Sequence, residues 1–447
     1  MTEEIKSIKS SPIQEFFDND FLLSYFIKNY IGPNILPMLK RVSNRFNNLC
    51  QVHWEHIYCK ACEPYHWYYG GKMKNTWNGK DWEKLYVITT IKNCLLFGTF
   101  GGSIESRQEP LKRIDVHGMM RRDSDSFDII DPSVYTPKNL IGGRQAAASA
   151  INWKLSEIWS VGGFNPQSNN ALRSIEIFKT NTLTSHSFPL KLKKPRCFAT
   201  ATFDANSNMI VAGGCSTLFT GAEVYSSLEV YNFGSSGSTF DIIPTTMNVL
   251  RGGHQSVYDW RRNRLYCLGG YGGGSIYHDS IEYVDLNPEM LAASNSRGRN
   301  NNNNNDNNNI NDGGFKMCEK KMKFQRTGAG ADFGPDGAIY ICGGSPDGAR
   351  GLDSLERYDP REGTFEQLAP MNHPRGYLAA KFGPNGMLYA AGGSALEQFD
   401  LFVMEAYHQE VEVYDRRMDT WYNSGNLVED MADLTIQLWY DDRNVLI

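Results

Sequence analysis

The 447-residue sequence predicts a mainly β fold built from repeated four-stranded units. Six diglycines, each preceded by an apolar run, recur along the chain: Gly101-Gly102, Gly162-Gly163, Gly213-Gly214, Gly269-Gly270, Gly343-Gly344 and Gly392-Gly393. The longest interval between them contains the asparagine-rich stretch 290–313, and without that stretch it falls to about 50 residues, like its neighbours. A period near 50 with four strands per unit indicates a β-propeller rather than a helical solenoid.

The clearest unit spans residues 375–421. Arg375 and small residues precede a Gly-Pro-Asn-Gly turn at 383–386, and the apolar run 387–391 leads to the diglycine. Val-Glu-Val-Tyr-Asp at 411–415 and then Trp421 follow. This order indicates strand, hairpin turn, strand, diglycine, strand and a last strand capped by an aromatic residue. Because glycine lacks a Cβ, the diglycine would allow an unusual backbone conformation and a close approach of neighbouring backbone.

Two charged residues recur in five of the six units. An arginine stands 17 or 18 residues before the first glycine of the pair, at Arg144, Arg196, Arg251, Arg326 and Arg375. A glutamate follows an apolar residue later in the same units, at Glu176, Glu229, Glu282, Glu356 and Glu412. Because the residues beside each glutamate would pack between sheets, we expect it to hydrogen-bond backbone or an arginine there.

The pattern Arg…Ile-Tyr-Ile-Cys-Gly-Gly…Leu-Glu-Arg-Tyr-Asp…Phe at 326–365 resembles the kelch repeat, and Val-Glu-Val-Tyr-Asp…Trp at 411–421 is similar to it as well. The resemblance covers about residues 95–430 and implies a kelch-type propeller over 95–447. We expect six blades, with a strand from 431–447 completing the first, because propellers close by pairing the two chain ends. Seven blades remain possible if 431–447 begins a separate one. The insertion at 290–313 is expected to be disordered.

The N-terminal segment has a different periodicity. Residues 1–12 are polar and are expected to be disordered, whereas apolar residues at three- and four-residue steps predict a small helical domain over 13–58. The stretch 39–49, with Trp54 beyond it, resembles an F-box, although Phe16-Phe17-Asp18 replaces the family's usual Leu-Pro. Residues 59–94 are a linker, either helical or an early strand.

The F-box resemblance implies docking on the small adaptor subunit of an SCF-type cullin–RING ubiquitin ligase. The docking residues would be Phe16, Phe17, Leu22, Leu36, Leu39, Val42, Phe46 and Leu49. The alternative is a helical cap whose apolar face packs on the propeller.

Composition and charge indicate the class of partner and the cellular compartment. The formal net charge is −5 without a long basic run, which argues against nucleic acid. The first residues, MTEEIKSIKSSP, have no apolar core of a secretory signal, and no run of 18 apolar residues exists to span a membrane. Nine scattered cysteines argue against a disulfide framework. We therefore expect a soluble intracellular protein, cytoplasmic or nuclear, with no membrane partner.

The candidate binding residues are the five repeated arginines. At equivalent positions of five blades they would form a ring, and in kelch proteins this position lies near the axial mouth. A ring of guanidinium groups would bind an acidic segment of a protein client. The alternative is that the arginines brace neighbouring blades by bonding loop carbonyls or the repeated glutamates. Phe198, Tyr377 and Tyr271 stand beside them and would add stacking area.

Signals for metal or catalytic chemistry are weak. His53, His56, Cys59, Cys62 and His66 include a Cys-x-x-Cys, but the second cysteine pair of a structural zinc site is missing, so we predict no metal. The sequence has no nucleophile elbow, phosphate loop or His-Glu-x-x-His motif, and we predict neither intrinsic catalysis nor a cofactor. The favoured function is that of a substrate-recognition subunit of an SCF ligase. A kelch scaffold, for instance a cytoskeletal one, and a propeller-pocket enzyme such as a sugar mutarotase are the alternatives.

Overall fold

The structure is a computed structural model that describes residues 94–100, 114–121, 127–129, 139–152, 155–218, 221–233, 239–286, 291, 314–383, 386–399, 402–427 and 431–439. The secondary-structure elements in these ranges are β-strands, and all of them belong to one compact unit. Nothing in these ranges forms a helix long and apolar enough to cross a lipid bilayer. The tip 1–12, the F-box-like segment 13–58, linker residues 59–93 and all of 290–313 except Leu291 lie outside the described residues.

The first three strands form an antiparallel meander. They are β1 (Cys94–Phe100), β2 (Ile114–Arg121) and β3 (Phe127–Ile129).

Two four-stranded sheets follow. The strands of the first are β4 (Ala148–Asn152), β5 (Glu157–Val161), β8 (Ile175–Lys179) and β9 (Thr184–Ser187), with the short hairpin β6 (Phe164–Asn165) and β7 (Asn170–Ala171) between β5 and β8. The strands of the second are β10 (Thr200–Phe203), β11 (Met209–Ala212), β12 (Ser227–Tyr231) and β13 (Phe240–Thr246). Each strand pairs with the next strand of its sheet along the chain.

Three more sheets repeat this order. The third has β14 (Gln255–Asp259), β15 (Arg264–Leu268), β18 (Ile281–Asp285) and β19 (Lys316–Met317), with the hairpin β16 (Tyr271–Gly273) and β17 (Ile276–Tyr277). The fourth has β20 (Gly330–Phe333), β21 (Ile339–Cys342), β22 (Leu355–Asp359) and β23 (Thr364–Leu368). The fifth has β24 (Ala379–Phe382), β25 (Leu388–Ala391), β28 (Glu410–Asp415) and β29 (Thr420–Asn426), with the hairpin β26 (Ser394–Phe399) and β27 (Phe402–Tyr407).

These five sheets are arranged as blades of a β-propeller. Their first strands contact one another in sequence: β4 contacts β10, β10 contacts β14, β14 contacts β20 and β20 contacts β24. The diglycines and the hairpins that follow the second strands lie at one end of the blades, which we call the loop face. The prediction of a mainly β propeller is therefore confirmed.

The last described strand, β30 (Thr435–Trp439), joins the two ends of the described chain. It pairs with β1, so that the sheet order is β3-β2-β1-β30. β30 also contacts β4 of the first blade and β24 of the fifth. Residues 431–439 thus contribute an inner strand to the sheet that β1–β3 begin.

The hydrophobic core lies between neighbouring blades. The second strands β11, β21 and β25 are buried at every position, because each lies between two flanking sheets, whereas the outer strand β23 is largely exposed. Trp159 of the first blade packs edge-on against Phe203 of the second, with ring centroids 5.6 Å apart. Tyr340 and Phe382 make the corresponding contact between the fourth and fifth blades at 5.1 Å. A buried aromatic side chain of this kind contributes about 2–3 kcal/mol.

The diglycines connect each blade to the next. Gly344 N donates to Arg375 O of the following blade at 2.9 Å, and a Cβ added to Gly343 would lie only 2.6 Å from the same oxygen. Both glycines have positive φ, 60° and 94°. Equivalent hydrogen bonds join Gly163 to Arg196, Gly214 to Arg251, Gly270 to Arg326 and Gly393 to Met431. Glycine is required here by both conformation and close approach.

Replacing Gly343 by alanine should therefore be costly. We expect the free energy of unfolding to fall by about 3 kcal/mol, since the added Cβ meets backbone that cannot rotate away. Gly363→Ala is the matched control: its φ is also positive, 68°, but nothing lies within 4 Å of the added Cβ, so about 1 kcal/mol is expected. Urea unfolding of both variants measures the difference. Equal losses would contradict the close-approach argument.

Removing residues 432–447 should destabilise the propeller strongly. The deletion removes β30 and leaves β1 with an unpaired edge, which favours aggregation. A chain ending at Trp439 keeps β30 and is the control. In thermal unfolding the chain lacking 432–447 should melt at the lower temperature, and in size-exclusion chromatography it should show more aggregate than the control. Indistinguishable melting temperatures would count against a structural role for β30.

Candidate functional site

The five repeated arginines are buried. Their exposed fractions are 0 or 1%, and each pairs with the glutamate of its own blade: Arg144 with Glu176, Arg196 with Glu229, Arg251 with Glu282, Arg326 with Glu356 and Arg375 with Glu412. The Nε–Oε1 distance is 2.9 Å in the Arg196–Glu229 pair and 2.6 Å in the Arg251–Glu282 pair. Each blade thus contains one buried arginine–glutamate pair.

Each guanidinium group also donates to backbone, and in four of the five blades to a serine hydroxyl. In the third blade, Arg251 Nη1 donates to Gly269 O at 2.5 Å and to Ser280 O at 3.2 Å, and Nη2 donates to Ser280 Oγ at 2.9 Å. One side chain therefore joins the end of the second strand to the start of the third. The backbone carbonyl of Arg251 accepts from Gly214 of the preceding blade, so the same residue also links two blades.

The glutamates accept further hydrogen bonds from the loop before each arginine. Glu412 accepts from the backbone N–H groups of Asn372 at 2.7 Å and His373 at 3.2 Å, and Glu176 accepts in the same way from Ile141 and Gly142. Several donors on each carboxylate compensate for its burial. Burial lowers the pKa of Arg375, and the charge of Glu412 opposes that shift.

The expectation that these arginines form an exposed ring for an acidic client is corrected by this geometry. A guanidinium group that is 0–1% exposed and bonded to a carboxylate and to carbonyls offers no surface to a ligand. The arrangement is instead the bracing alternative. The repeat pattern identifies the arginines and the glutamates. Their spacing does not show that the loop before the first strand meets the third strand of the same blade.

Four serines complete the hydrogen bonding of the pairs. Ser174, Ser227, Ser280 and Ser354 each accept from an arginine Nη2 at 2.8 to 3.3 Å. Each stands two residues before the glutamate, so a repeated Ser-x-Glu was available as a signal. Glu410 takes this position in the fifth blade, and there its backbone carbonyl accepts from Arg375 instead, at 3.0 Å.

A ring of six residues lies around the propeller axis, and five of the six stand two residues after a repeated arginine. Its members are Ala146, Phe198, Gly253, Gly328, Tyr377 and Asp433, and all have φ between 50° and 60°. Phe198 N donates to Ala146 O, Gly253 N to Phe198 O and Gly328 N to Gly253 O, at 2.7 to 2.8 Å. Asp433 N donates to Tyr377 O at 3.1 Å, and Ala146 N to Asp433 O at 3.2 Å. These bonds stabilise a left-handed conformation that non-glycine residues otherwise avoid.

The six ring residues line a cavity of about 150 Å³ on the axis. The rings of Phe198 and Tyr377 come from the second and fifth blades and meet with centroids 5.8 Å apart. Tyr377 Oη donates to Gly348 O at 3.1 Å, which fixes its ring. Asp433 also lines the cavity, and all three side chains are half-buried. We call Phe198, Tyr377 and Asp433 the axial mouth.

Polar contacts between neighbouring blades form part of the cavity wall. Gln437 Nε2 donates to Ser149 Oγ at 2.9 Å, and Thr200 Oγ1 lies 2.6 Å from Ser256 Oγ. Lys381 Nζ lies 3.4 Å from Asp332 Oδ1. Burial, together with the charge of Arg251, lowers the pKa of His254 to about 3, so this buried imidazole is neutral.

The remaining candidates from the sequence are Tyr271, a metal site, the docking residues and the first diglycine. Tyr271 packs against Tyr277 on the β16–β17 hairpin at 5.4 Å. Within the ranges that the structure describes, no group of three or more His, Cys, Asp or Glu side chains could hold a metal ion. The Cys-x-x-Cys cluster at 53–66, the docking residues between Phe16 and Leu49, and Gly101-Gly102 lie outside those ranges.

The arginine–glutamate pair can be tested by a double-mutant cycle on Arg326 and Glu356. We expect Arg326→Met and Glu356→Leu each to lower the free energy of unfolding by about 3–5 kcal/mol, because each leaves a buried charge without its partner. The double variant should lose much less than the sum. Chemical denaturation measures the free energy of unfolding of the native chain, the two single variants and the double variant. Arg350→Met, in a largely exposed pair with Asp347, should change stability by less than about 1 kcal/mol. Additive losses at Arg326 and Glu356 would contradict the pairing.

Comparison with known proteins supports the repeat assignment. Residues 335–372, which include Gly343-Gly344 and Glu356, match the family model described as the Kelch motif. Among solved structures, the chain is similar to one titled "Structure of YjhT", with 10% identity, a TM-score of 0.48, and coverage of 70% of this chain and 97% of the other. No curated protein matches. The kelch motif thus lies in the fourth of five equivalent four-stranded blades, and the sheets have a propeller arrangement.

Proposed function

We propose that this chain is a substrate-recognition subunit of an SCF-type ubiquitin ligase, in which the propeller binds a protein client on its loop face. The observation that carries the client-binding part is a set of exposed apolar side chains on that face: Ile141, Leu250, Ile276 and Leu396, which are 41–58% exposed. Burying each in an interface contributes about 1–3 kcal/mol. Where such groups form a contiguous apolar patch rimmed by polar residues, they mark a protein-binding surface.

The loop face gains its specificity from segments that do not repeat. The β26–β27 hairpin spans 394–407, whereas β6–β7 and β16–β17 span 164–171 and 271–277. Because the buried arginine–glutamate pairs hold the blades, these connections can differ in length and sequence without changing the scaffold. Loops on a rigid scaffold are the common location of recognition residues.

The proposal assigns residues 13–58 to docking on the ligase adaptor, through Phe16, Phe17, Leu22, Leu36, Leu39, Val42, Phe46 and Leu49. Its support is the resemblance of residues 39–49 to the F-box. Joining an adaptor-docking segment to a client-binding propeller raises the concentration of the client beside the ubiquitin-loaded partner. In this proposal the chain itself performs no chemistry and acts inside the cell.

We also infer that the β3-β2-β1-β30 sheet is a sixth blade that closes the propeller. Three observations support this: β30 contacts both β4 and β24, Asp433 takes part in the axial ring, and Met431 O accepts from Gly393 as the repeated arginine carbonyls do elsewhere. Met431 occupies the position of the arginine, and Asp115, which pairs with Thr99, occupies that of the glutamate. This blade would therefore lack the arginine–glutamate pair.

A pull-down with the recombinant ligase adaptor tests the proposal. We expect capture by the full chain and none by a chain lacking residues 1–60. Full chains with Val42→Asp or Phe46→Asp should also lose capture, because a carboxylate cannot be buried in an apolar interface. Equal capture by the full and shortened chains would place the contact on the propeller and contradict the docking role. No capture by a folded full chain would favour a kelch scaffold instead.

A further inference from the structure

Four cationic side chains occur on the loop face where the first blade meets the second. Arg173 lies in the connection between β7 and β8, and Lys191, Lys193 and Lys194 lie in the connection between β9 and β10. We call these four residues the basic rim. We propose that the basic rim binds an acidic segment of the client. This inference rests on the proposed client-binding function and specifies the chemistry of the client.

Hydrogen bonds bring the two connections together. Leu192 N donates to Arg173 O at 2.9 Å, and Arg173 Nε donates to Leu192 O at 2.6 Å. Leu192 is fully buried in the core between the two blades, whereas Lys191 and Lys193 on either side of it are exposed, as is Arg173. The three exposed cations are therefore held at neighbouring backbone positions.

The buried arginine–glutamate pair of the second blade fixes the same connection. Glu229 accepts from the backbone N–H groups of Lys193 at 2.6 Å and Lys194 at 3.0 Å. The fold thus uses the main chain of these lysines and leaves the ammonium group of Lys193 exposed. Because the backbone is fixed before a ligand binds, only the side chains have to be ordered on binding.

The cations of the basic rim outnumber the carboxylates around them. Segments 162–174, 188–195 and 213–227 contain the four cations and one carboxylate, Glu223. Glu223 Oε1 lies 2.9 Å from Lys194 Nζ. Among the residues that the structure describes, Arg173, Lys191 and Lys193 have no carboxylate within ion-pair distance. Their positive charge is therefore available to a ligand.

The third blade has the same arrangement, but there the charge is compensated. Asp279 occupies the position of Arg173, and its carbonyl accepts from Met322 N at 2.9 Å in the equivalent hydrogen bond. Lys321 and Lys323 flank Met322, and Lys321 Nζ lies 3.1 Å from Asp279 Oδ1. The scaffold accepts either charge at this position, so the fold does not require the arginine in the first blade.

An acidic protein segment is the ligand that this surface favours. Lysine and arginine side chains at the rim of an interface attract carboxylates and disfavour basic partners. Exposed Ile141 and Leu250 lie in the corresponding connections before the first and third blades, so apolar residues beside the acidic ones would also find contacts. A nucleic acid requires a more extended basic surface than four cations on a chain of net charge −5.

Fluorescence polarisation with two labelled nonapeptides tests the inference on the native full chain. One alternates serine with glutamate and the other serine with lysine. We expect the glutamate probe to bind at least about tenfold more tightly, with binding that weakens as salt rises. Arg173→Asp should weaken it about tenfold, because the basic rim then has the compensated arrangement of the third blade. Lys191→Gln combined with Lys193→Gln should weaken it about fivefold.

The control is Lys321→Gln combined with Lys323→Gln, which removes the equivalent two lysines beside the third blade and changes the net charge equally. It should leave binding unchanged. Failure of the glutamate probe to bind the native chain, equal losses in the two lysine pairs, or tighter binding of an oligothymidylate with the same number of charges would each overturn the inference. Melting temperatures identify any variant that fails to fold, and the exposed lysine pairs then decide the result. Capture of the ligase adaptor reports separately on residues 13–58, so the two proposals can fail independently.

Discussion

The buried arginine–glutamate pair is the interaction on which the described structure depends. In each of five blades it ties the end of the second strand, the start of the third and the loop before the first. In four of them the arginine carbonyl also accepts from the diglycine of the preceding blade. Burying two charges is expensive, and the hydrogen bonds of the guanidinium and carboxylate groups inside the blade compensate for it. The same constraint explains the serines before the glutamates and the close approach that requires Gly343.

Because the arginines are used inside the blades, other side chains determine which ligands the propeller surface can bind. A kelch surface with exposed arginines would attract acidic segments, whereas here the guanidinium groups of the five repeated arginines are neutralised inside the blades. The side chains that face the axial cavity then come from the six residues of the axial ring. These residues share a backbone conformation but differ in residue type. Phe198, Tyr377 and Asp433 give that position an aromatic and acidic character, while Ala146, Gly253 and Gly328 leave room for it.

Much of the fold could be predicted from the sequence, because a short motif that is weak evidence on its own becomes strong evidence when it recurs at a regular spacing. The diglycines, the arginines and the apolar-Glu pairs recur at fixed spacing, and that spacing gave the number of strands per unit. The repeated pattern offers a glutamate as one partner of Arg375. It could not decide between this pairing and an exposed arginine, since spacing along the chain does not show that residues 375 and 412 meet within one blade. The axial ring was equally hidden, because its members are defined by positive φ and not by a common side chain. Met431 replaces the arginine in the last unit, so nothing in the repeat pattern indicates that Asp433 belongs to the ring.

Labelling of the folded protein with an arginine-selective dicarbonyl reagent, followed by peptide mass spectrometry, tests the central claim most directly. Arg350, Arg361 and Arg417, whose side chains are 54–71% exposed, serve as internal references. The account predicts that Arg144, Arg196, Arg251, Arg326 and Arg375 remain unmodified until the chain is unfolded, while the references react. Modification of any of the five in the folded protein at the rate of Arg350 would contradict it.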